Sequence, residues 1–244
     1  MFIKLTALIC LITGFALASN HIENNPECDA EEEAVEKCAQ KMVLLDRQPM
    51  PQTPEEMQTF CDNYKSEESC LRNHSLKCLS PSAHQTVTIL INSVVQQNQK
   101  ICSKGWRNKK RMINGGKCIN KYHNKPIACL RNFIDNIQGI HQLTQNDKIP
   151  VICCNYHSYR KCATDDLSSD DRLCNSYTVR TIHNMIAGYS GDVLNYVCES
   201  YESYGQTCDP ISQLISRYNN HENNSTKEET PKTFFSLMVK IYLS

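Results

Sequence analysis

The chain has 244 residues, with 26 Lys and Arg against 26 Asp and Glu, so its formal net charge is zero. Its hydrophobic fraction of 40% is that of an ordinary soluble globular protein. Only eight glycines are present and alternating β-branched runs are scarce, which argues against a β-sandwich and favours helices.

The first 18 residues have the features of a secretory signal peptide. An apolar run covers residues 5–17, and Ala16 and Ala18 give the small-x-small pattern of a cleavage site before Ser19. The run is shorter than the roughly 20 residues that a permanent membrane helix needs. We therefore predict a signal peptide at 1–18, an extracellular mature protein and no transmembrane span in the mature chain.

Fourteen cysteines remain in the mature chain, and this even number predicts seven disulfides in an oxidising compartment. The chain contains no C-x-x-C and no H-x3–5-H pair, so neither zinc nor any other metal or cofactor is expected. The predicted bridged residues are Cys28, Cys38, Cys61, Cys70, Cys78, Cys102, Cys118, Cys129, Cys153, Cys154, Cys162, Cys174, Cys198 and Cys208.

Cysteine spacing predicts an internal duplication. Residues 28–102 hold six cysteines, and residues 118–198 repeat their spacing with six of the seven cysteines present there, the seventh being Cys154. Four of the five gaps agree within one residue. The predicted fold is all-α, two tandem six-cysteine repeats of about four helices each, stapled by disulfides. The predicted units are repeat 1 at 19–102, a basic linker at 103–117, repeat 2 at 118–208, and a short helix with a partly disordered tail at 209–244.

Helix starts are marked by capping residues. Thr53 and Glu56 form a capping box around Pro54, and Ser80 precedes Pro81 at the start of an apolar stripe. These signals predict helices that begin at Pro54 and Pro81.

Disulfide pairing is less determined, because six cysteines allow 15 pairings in each repeat. We favour Cys38–Cys61 and Cys129–Cys153, which would tie successive helices into hairpins. The two cysteines outside the repeat pattern are Cys154 and Cys208, and we predict that they bond to each other.

The word Cys153-Cys154-Asn155-Tyr156-His157 resembles the C-C-x-x-H word of secreted phospholipases A2. No Gly-rich calcium loop precedes it, and the first repeat has Lys65 where the second has His157. We therefore predict that His157 is an exposed or capping residue, that no residue is catalytic, and that the protein is not an enzyme.

Residues 104–117 hold six basic residues, no acidic ones and the only tryptophan. A solvated, protease-sensitive linker, a polyanion-binding segment and a multibasic processing site are all compatible with this composition. The candidate polyanion-binding residues are Lys104, Trp106, Arg107, Lys109, Lys110 and Arg111, with Lys117 at the end of the segment.

Three N-x-S/T sequons, at Asn73, Asn223 and Asn224, predict a glycoprotein. The apolar segment 234–243 is interpreted as a docked or frayed terminus, with a GPI signal as the alternative.

Short words around the cysteines carry a family resemblance. Phe60-Cys61-Asp62-Asn63-Tyr64 and Gly191-Asp192-Val193-Leu194 look like an arthropod family of secreted cysteine-rich proteins, similar to insect haemolymph glycoproteins and some large venom components. The resemblance implies secretion, a helical fold and no catalytic residues.

The expected function is non-enzymatic surface binding in haemolymph or a secretion. The alternatives are a venom component acting on a membrane receptor or ion channel, and a carrier of a small apolar ligand. The partner is an unidentified protein, glycan or membrane surface, and no nucleic acid is expected.

Overall fold

The computed structural model describes residues 26–46, 49–103, 105–122, 124–137, 140, 143–165, 167, 172–201, 208, 211 and 233–243. The predicted signal peptide lies outside these residues. The predicted all-α fold is confirmed, since the described part of the chain contains α-helices and 3-10 turns and no β-strand.

Eight α-helices follow one another along the described residues. They are α1 (Pro26–Met42), α2 (Pro54–Cys78), α3 (Pro81–Cys102), α4 (Trp106–Lys121), α5 (Asn124–Ile137), α6 (Gln145–Asp165), α7 (Ser176–Val197) and α8 (Phe234–Leu243). Short 3-10 turns cover Leu44–Asp46 and Glu199–Tyr201. None of these helices combines the length and the apolarity that a bilayer crossing requires.

The predicted helix starts are confirmed. Thr53 Oγ1 accepts a hydrogen bond from the Glu56 N–H while the Glu56 carboxylate accepts one from the Thr53 N–H. This reciprocal pair satisfies two backbone donors that a helix N-terminus otherwise leaves open. Ser80 caps α3 with a single hydrogen bond, in which its hydroxyl oxygen accepts from the Ala83 N–H.

The fourteen cysteines from Cys28 to Cys208 all form disulfides. The bridges are Cys28–Cys78, Cys38–Cys70, Cys61–Cys102, Cys118–Cys174, Cys129–Cys162, Cys153–Cys198 and Cys154–Cys208. In each six-cysteine set the first bonds to the fifth, the second to the fourth and the third to the sixth. The predicted Cys154–Cys208 bridge is confirmed.

The preferred Cys38–Cys61 pairing is wrong, and so is Cys129–Cys153. Helices α1 and α2 run antiparallel, and the bridges of Cys38 to Cys70 and of Cys28 to Cys78 share one register. Cys61 lies nine residues before Cys70, about 13 Å away along α2. A disulfide spans only roughly 4.4–6.8 Å between Cα atoms, so Cys38 cannot reach Cys61 in this register.

The two cysteine sets share one hydrophobic core. Tyr189 of α7 donates from its hydroxyl to Asn98 Oδ1 of α3 over 2.8 Å and accepts from the Leu44 N–H over 3.2 Å. Asn98 in turn donates to the Met42 carbonyl oxygen. These buried bonds join the end of α1, α3 and α7, so the halves named by the cysteine pattern are packed against each other. That they arose by duplication stays a hypothesis.

The C-terminal helix α8 is docked on the same core. Phe235, Leu237 and Met238 are buried, and α8 packs against α1, α3 and α5. Asp46 Oδ2 accepts from the Phe235 N–H over 3.4 Å at the positive end of the helix, where a carboxylate is favoured. Residues 212–232, which include the sequons at Asn223 and Asn224, lie outside the described part.

Candidate functional site

The basic segment of the sequence is a structural element, helix α4. Its inner face is buried through Met112, Ile113 and Ile119. Cys118, on the same helix, is bonded to Cys174 just before α7. The helix therefore presents one fixed face to solvent.

The loop before α2 fixes the rotation of α4. Asn120 Oδ1 accepts from the Met50 N–H over 2.9 Å, and Asn120 Nδ2 donates to the Met50 carbonyl oxygen over 2.8 Å. Both polar atoms of the side-chain amide are therefore hydrogen-bonded to this loop. Gly116 lies beneath the same loop, and a Cβ added there would be 2.2 Å from the Pro51 carbonyl oxygen. Glycine is required here because the backbone of the loop rests directly on the helix.

The outer face of α4 carries a line of exposed cations, which we call the basic stripe: Arg107, Lys110, Lys117 and Lys121. At 100° per residue these four positions fall within an arc of roughly 80°, and at 1.5 Å per residue they extend over about 21 Å. Asn114, also exposed, lies within the arc, halfway along the length of the stripe.

No carboxylate pairs with Arg107, Lys110 or Lys117 among the residues that the structure describes. The Lys121 ammonium lies 5.5 Å from the Tyr122 ring centroid. The sequence explains the scarcity of carboxylate partners, because residues 69–134 contain twelve Lys and Arg and no Asp or Glu. The overall charge balance of the chain therefore hides a strongly positive middle segment.

The N-terminal end of α4 adds to the positive potential. Its N-cap, Gly105, offers no side-chain hydrogen bond to the first turn, so backbone N–H groups and the helix dipole reinforce the nearby cations. Trp106 is 48% exposed beside the stripe. An exposed aromatic ring next to cations provides an apolar contact surface for a ligand that the cations attract.

The structure divides the candidate residues that the sequence singled out. Trp106, Arg107 and Lys110 are exposed at the surface, as a binding role requires. Lys109 donates to Gln58 Oε1 over 2.8 Å, and the Arg111 guanidinium lies 5.4 Å from the Tyr177 ring centroid, so both side chains are engaged by neighbouring helices. Lys104 lies outside the described residues.

Lys117 is a candidate residue that the structure leaves exposed on the same face as Arg107, whereas Lys121 lies beyond the basic segment and is not among the predicted residues. A linker has no helical periodicity, so the interpretation of residues 103–117 as a linker gave no reason to place Lys117 on one face with Arg107. The signal was available in the spacing 107, 110, 114, 117, 121, which alternates three and four residues.

His157 acts as a capping residue, as predicted. Its Nε2 lies 2.8 Å from the carbonyl oxygen of Cys198, the C-terminal cap of α7. Neighbouring Tyr156 donates to Asn195 Oδ1, and Asn195 donates to the Ala187 and Gly191 carbonyls at the kink of α7. The C-C-x-x-H word therefore joins α6 to the end of α7.

One group of potential metal ligands occurs in the described part of the chain, at Glu31, His74 and Cys78. Cys78 is bonded to Cys28, so it offers no thiolate. The Lys77 ammonium lies 2.9 Å from Glu31, and its hydrogen bond lowers the pKa of that carboxyl. A disulfide-bonded sulfur beside a carboxylate that is already ion-paired with a lysine does not make a metal site.

Of the predicted glycosylation sites, Asn73 is described and is exposed on α2.

The chain matches no protein-family model, no curated protein and no solved structure.

Proposed function

We propose that the protein is an extracellular, non-enzymatic binding protein that attaches to sulfated polysaccharides through the basic stripe of α4. The observation that carries this proposal is the line of exposed cations on a rigidly held helix, with no pairing carboxylate described for three of them. Unneutralised surface charge raises the local concentration of an oppositely charged ligand and speeds its association.

Secretion is supported by the disulfides, because seven bridges form and persist in oxidising compartments and are rare in the cytosol. We propose haemolymph or another secretion as the setting, in line with the arthropod resemblance. The docking of α8 favours its retention in the mature protein over removal with a GPI signal.

The shape of the basic stripe favours a linear anion. A compact anion such as free phosphate would contact one or two neighbouring cations, whereas Arg107 and Lys121 lie about 21 Å apart along the helix. A lipid surface would favour several exposed apolar side chains beside the cations, and Trp106 is the single large one recorded on α4. An extended sulfated chain can contact all four cations at once.

The test uses heparin as the probe, with affinity measured by titration calorimetry at physiological salt. Changing Arg107, Lys110, Lys117 and Lys121 to Gln keeps good helix-forming residues on the exposed face. Each exposed charge contributes roughly a factor of two to three, so the fourfold variant should bind on the order of 30-fold more weakly.

A matched control removes four exposed lysines from α1, α2 and α6, namely Lys37, Lys41, Lys65 and Lys161. Its net charge equals that of the stripe variant, so it should retain nearly the wild-type affinity if position matters. Equal weakening of both variants would show that only net charge matters and would contradict the proposal. Tighter binding to phosphatidylserine vesicles than to heparin would show that the ligand of the basic stripe is a membrane surface and not a polysaccharide.

A further inference from the structure

A cavity of about 150 Å³ lies where the two cysteine sets meet. The first set contributes residues from the end of α1 and the following 3-10 turn, and α4, α5, α6 and α7 contribute the rest. Its apolar walls include Ile182 and Ile186 of α7, Leu130 of α5 and Ala163 of α6. Ile119 places it on the inner side of α4, opposite the basic stripe.

The polar lining of the cavity is acidic. The ten described residues that line it include the carboxylate Asp46, the phenol Tyr159 and the amide Gln40, and none of these ten is Lys, Arg or His. Asp46 and Tyr159 are both buried, whereas Gln40 is exposed at the edge. Burial, reinforced by the Asp46 charge, raises the pKa of Tyr159, so its hydroxyl stays protonated at neutral pH.

We propose that this cavity binds a small primary amine with an aromatic or branched aliphatic body. Cavities of this volume accept a benzene-sized group when their walls are apolar. The apolar walls would take the ring, and the ammonium would lie at Asp46, where a charge-assisted hydrogen bond is stronger than a neutral one.

The Asp46 carboxylate can accept a hydrogen bond from an ammonium while it keeps its structural contacts. Its Oδ2 accepts from the Phe235 N–H at the start of α8, and it takes part in other contacts as well. An ionised carboxylate offers about four acceptor positions on two oxygens, so further donors can be added. An anionic ligand would meet this carboxylate in a site whose described lining has no cation to offset it, and it should be excluded.

The experiment compares three ligands with the same ring and chain length on the full mature protein, by titration calorimetry. Phenethylamine, 2-phenylethanol and phenylacetate carry a cation, a neutral hydroxyl and an anion. The amine should bind about tenfold or more tightly than the alcohol, and phenylacetate should not bind measurably. Equal binding of amine and phenylacetate, or no binding of the amine, would overturn the proposal.

Two variants locate the site. Ala163→Leu fills the cavity and should abolish binding of both amine and alcohol, while Asp46→Asn should remove the preference for the amine. Asp192→Asn, a change at an exposed acid of α7, is the matched control and should leave the preference intact. Undiminished amine binding by Ala163→Leu would place the ligand elsewhere. Heparin affinity reports independently on the basic stripe, so failure of either proposal is distinguishable from failure of the other.

Discussion

Replacing Tyr189 by Phe removes one hydroxyl from the centre of the shared core. That hydroxyl donates to Asn98 Oδ1 and accepts from the Leu44 N–H, and all three residues are buried. The variant keeps the ring and leaves one acceptor and one donor without this partner. Each buried polar group without a partner costs about 1–3 kcal/mol, so the loss for two groups should lower the free energy of unfolding by about 2–6 kcal/mol.

Guanidinium denaturation with the disulfides intact, followed by far-ultraviolet circular dichroism, measures this loss. Tyr196→Phe is the matched control, because Tyr196 lies seven residues further along α7 and is 64% exposed. It should change the free energy of unfolding by less than about 0.5 kcal/mol. If Tyr189→Phe cost no more than Tyr196→Phe, the hydrogen-bonded junction between the two cysteine sets would not stabilise the fold.

Two further predictions concern the packing of α4 and the ionisation of the buried tyrosines. Gly116→Ala should destabilise the fold by about 1–3 kcal/mol in the same denaturation assay, because its Cβ would clash with the Pro51 carbonyl oxygen. Gly105→Ala meets no atom within 4 Å and should cost less, about 0.5 kcal/mol, because alanine is a poorer N-cap residue than glycine. Equal effects of the two changes would show that the loop over Gly116 is free to move. Burial raises the pKa of Tyr189 above that of an unfolded tyrosine, so the stability that its neutral form contributes is present at neutral pH and declines above about pH 10. Ultraviolet titration of folded protein at about pH 11 should therefore give the same tyrosinate absorbance for wild type and Tyr189→Phe; a lower signal in the variant would mean that Tyr189 ionises in the folded state.

Local signals in the sequence were reliable for this fold. The capping box at Thr53 and the Ser80-Pro81 start depend on contacts within one helical turn, and the structure has both. The Cys154–Cys208 bridge followed by elimination, once the repeat spacing had assigned the other twelve cysteines.

Features that depend on packing between helices cannot be predicted from such local signals. The pairing of Cys38 with Cys70 depends on the antiparallel register of α1 and α2, which cysteine spacing alone does not specify. The composition of the basic segment predicts a linker because its charge obscures a helix whose buried side includes two adjacent glycines, Gly115 and Gly116. The loop resting on Gly116 explains why a glycine lies at that position inside the helix.

The salt dependence of heparin affinity tests the central claim most directly. Each cation that contacts a polyanion displaces counterions, so the logarithm of the affinity falls linearly with the logarithm of salt concentration, by roughly 0.7–0.9 per contact in the nucleic-acid case. Four contacts from the basic stripe predict a slope of about −3 for the wild type and a slope near zero for the variant with Gln at Arg107, Lys110, Lys117 and Lys121. A slope that stays near −3 in that variant would show that heparin binds elsewhere on the protein.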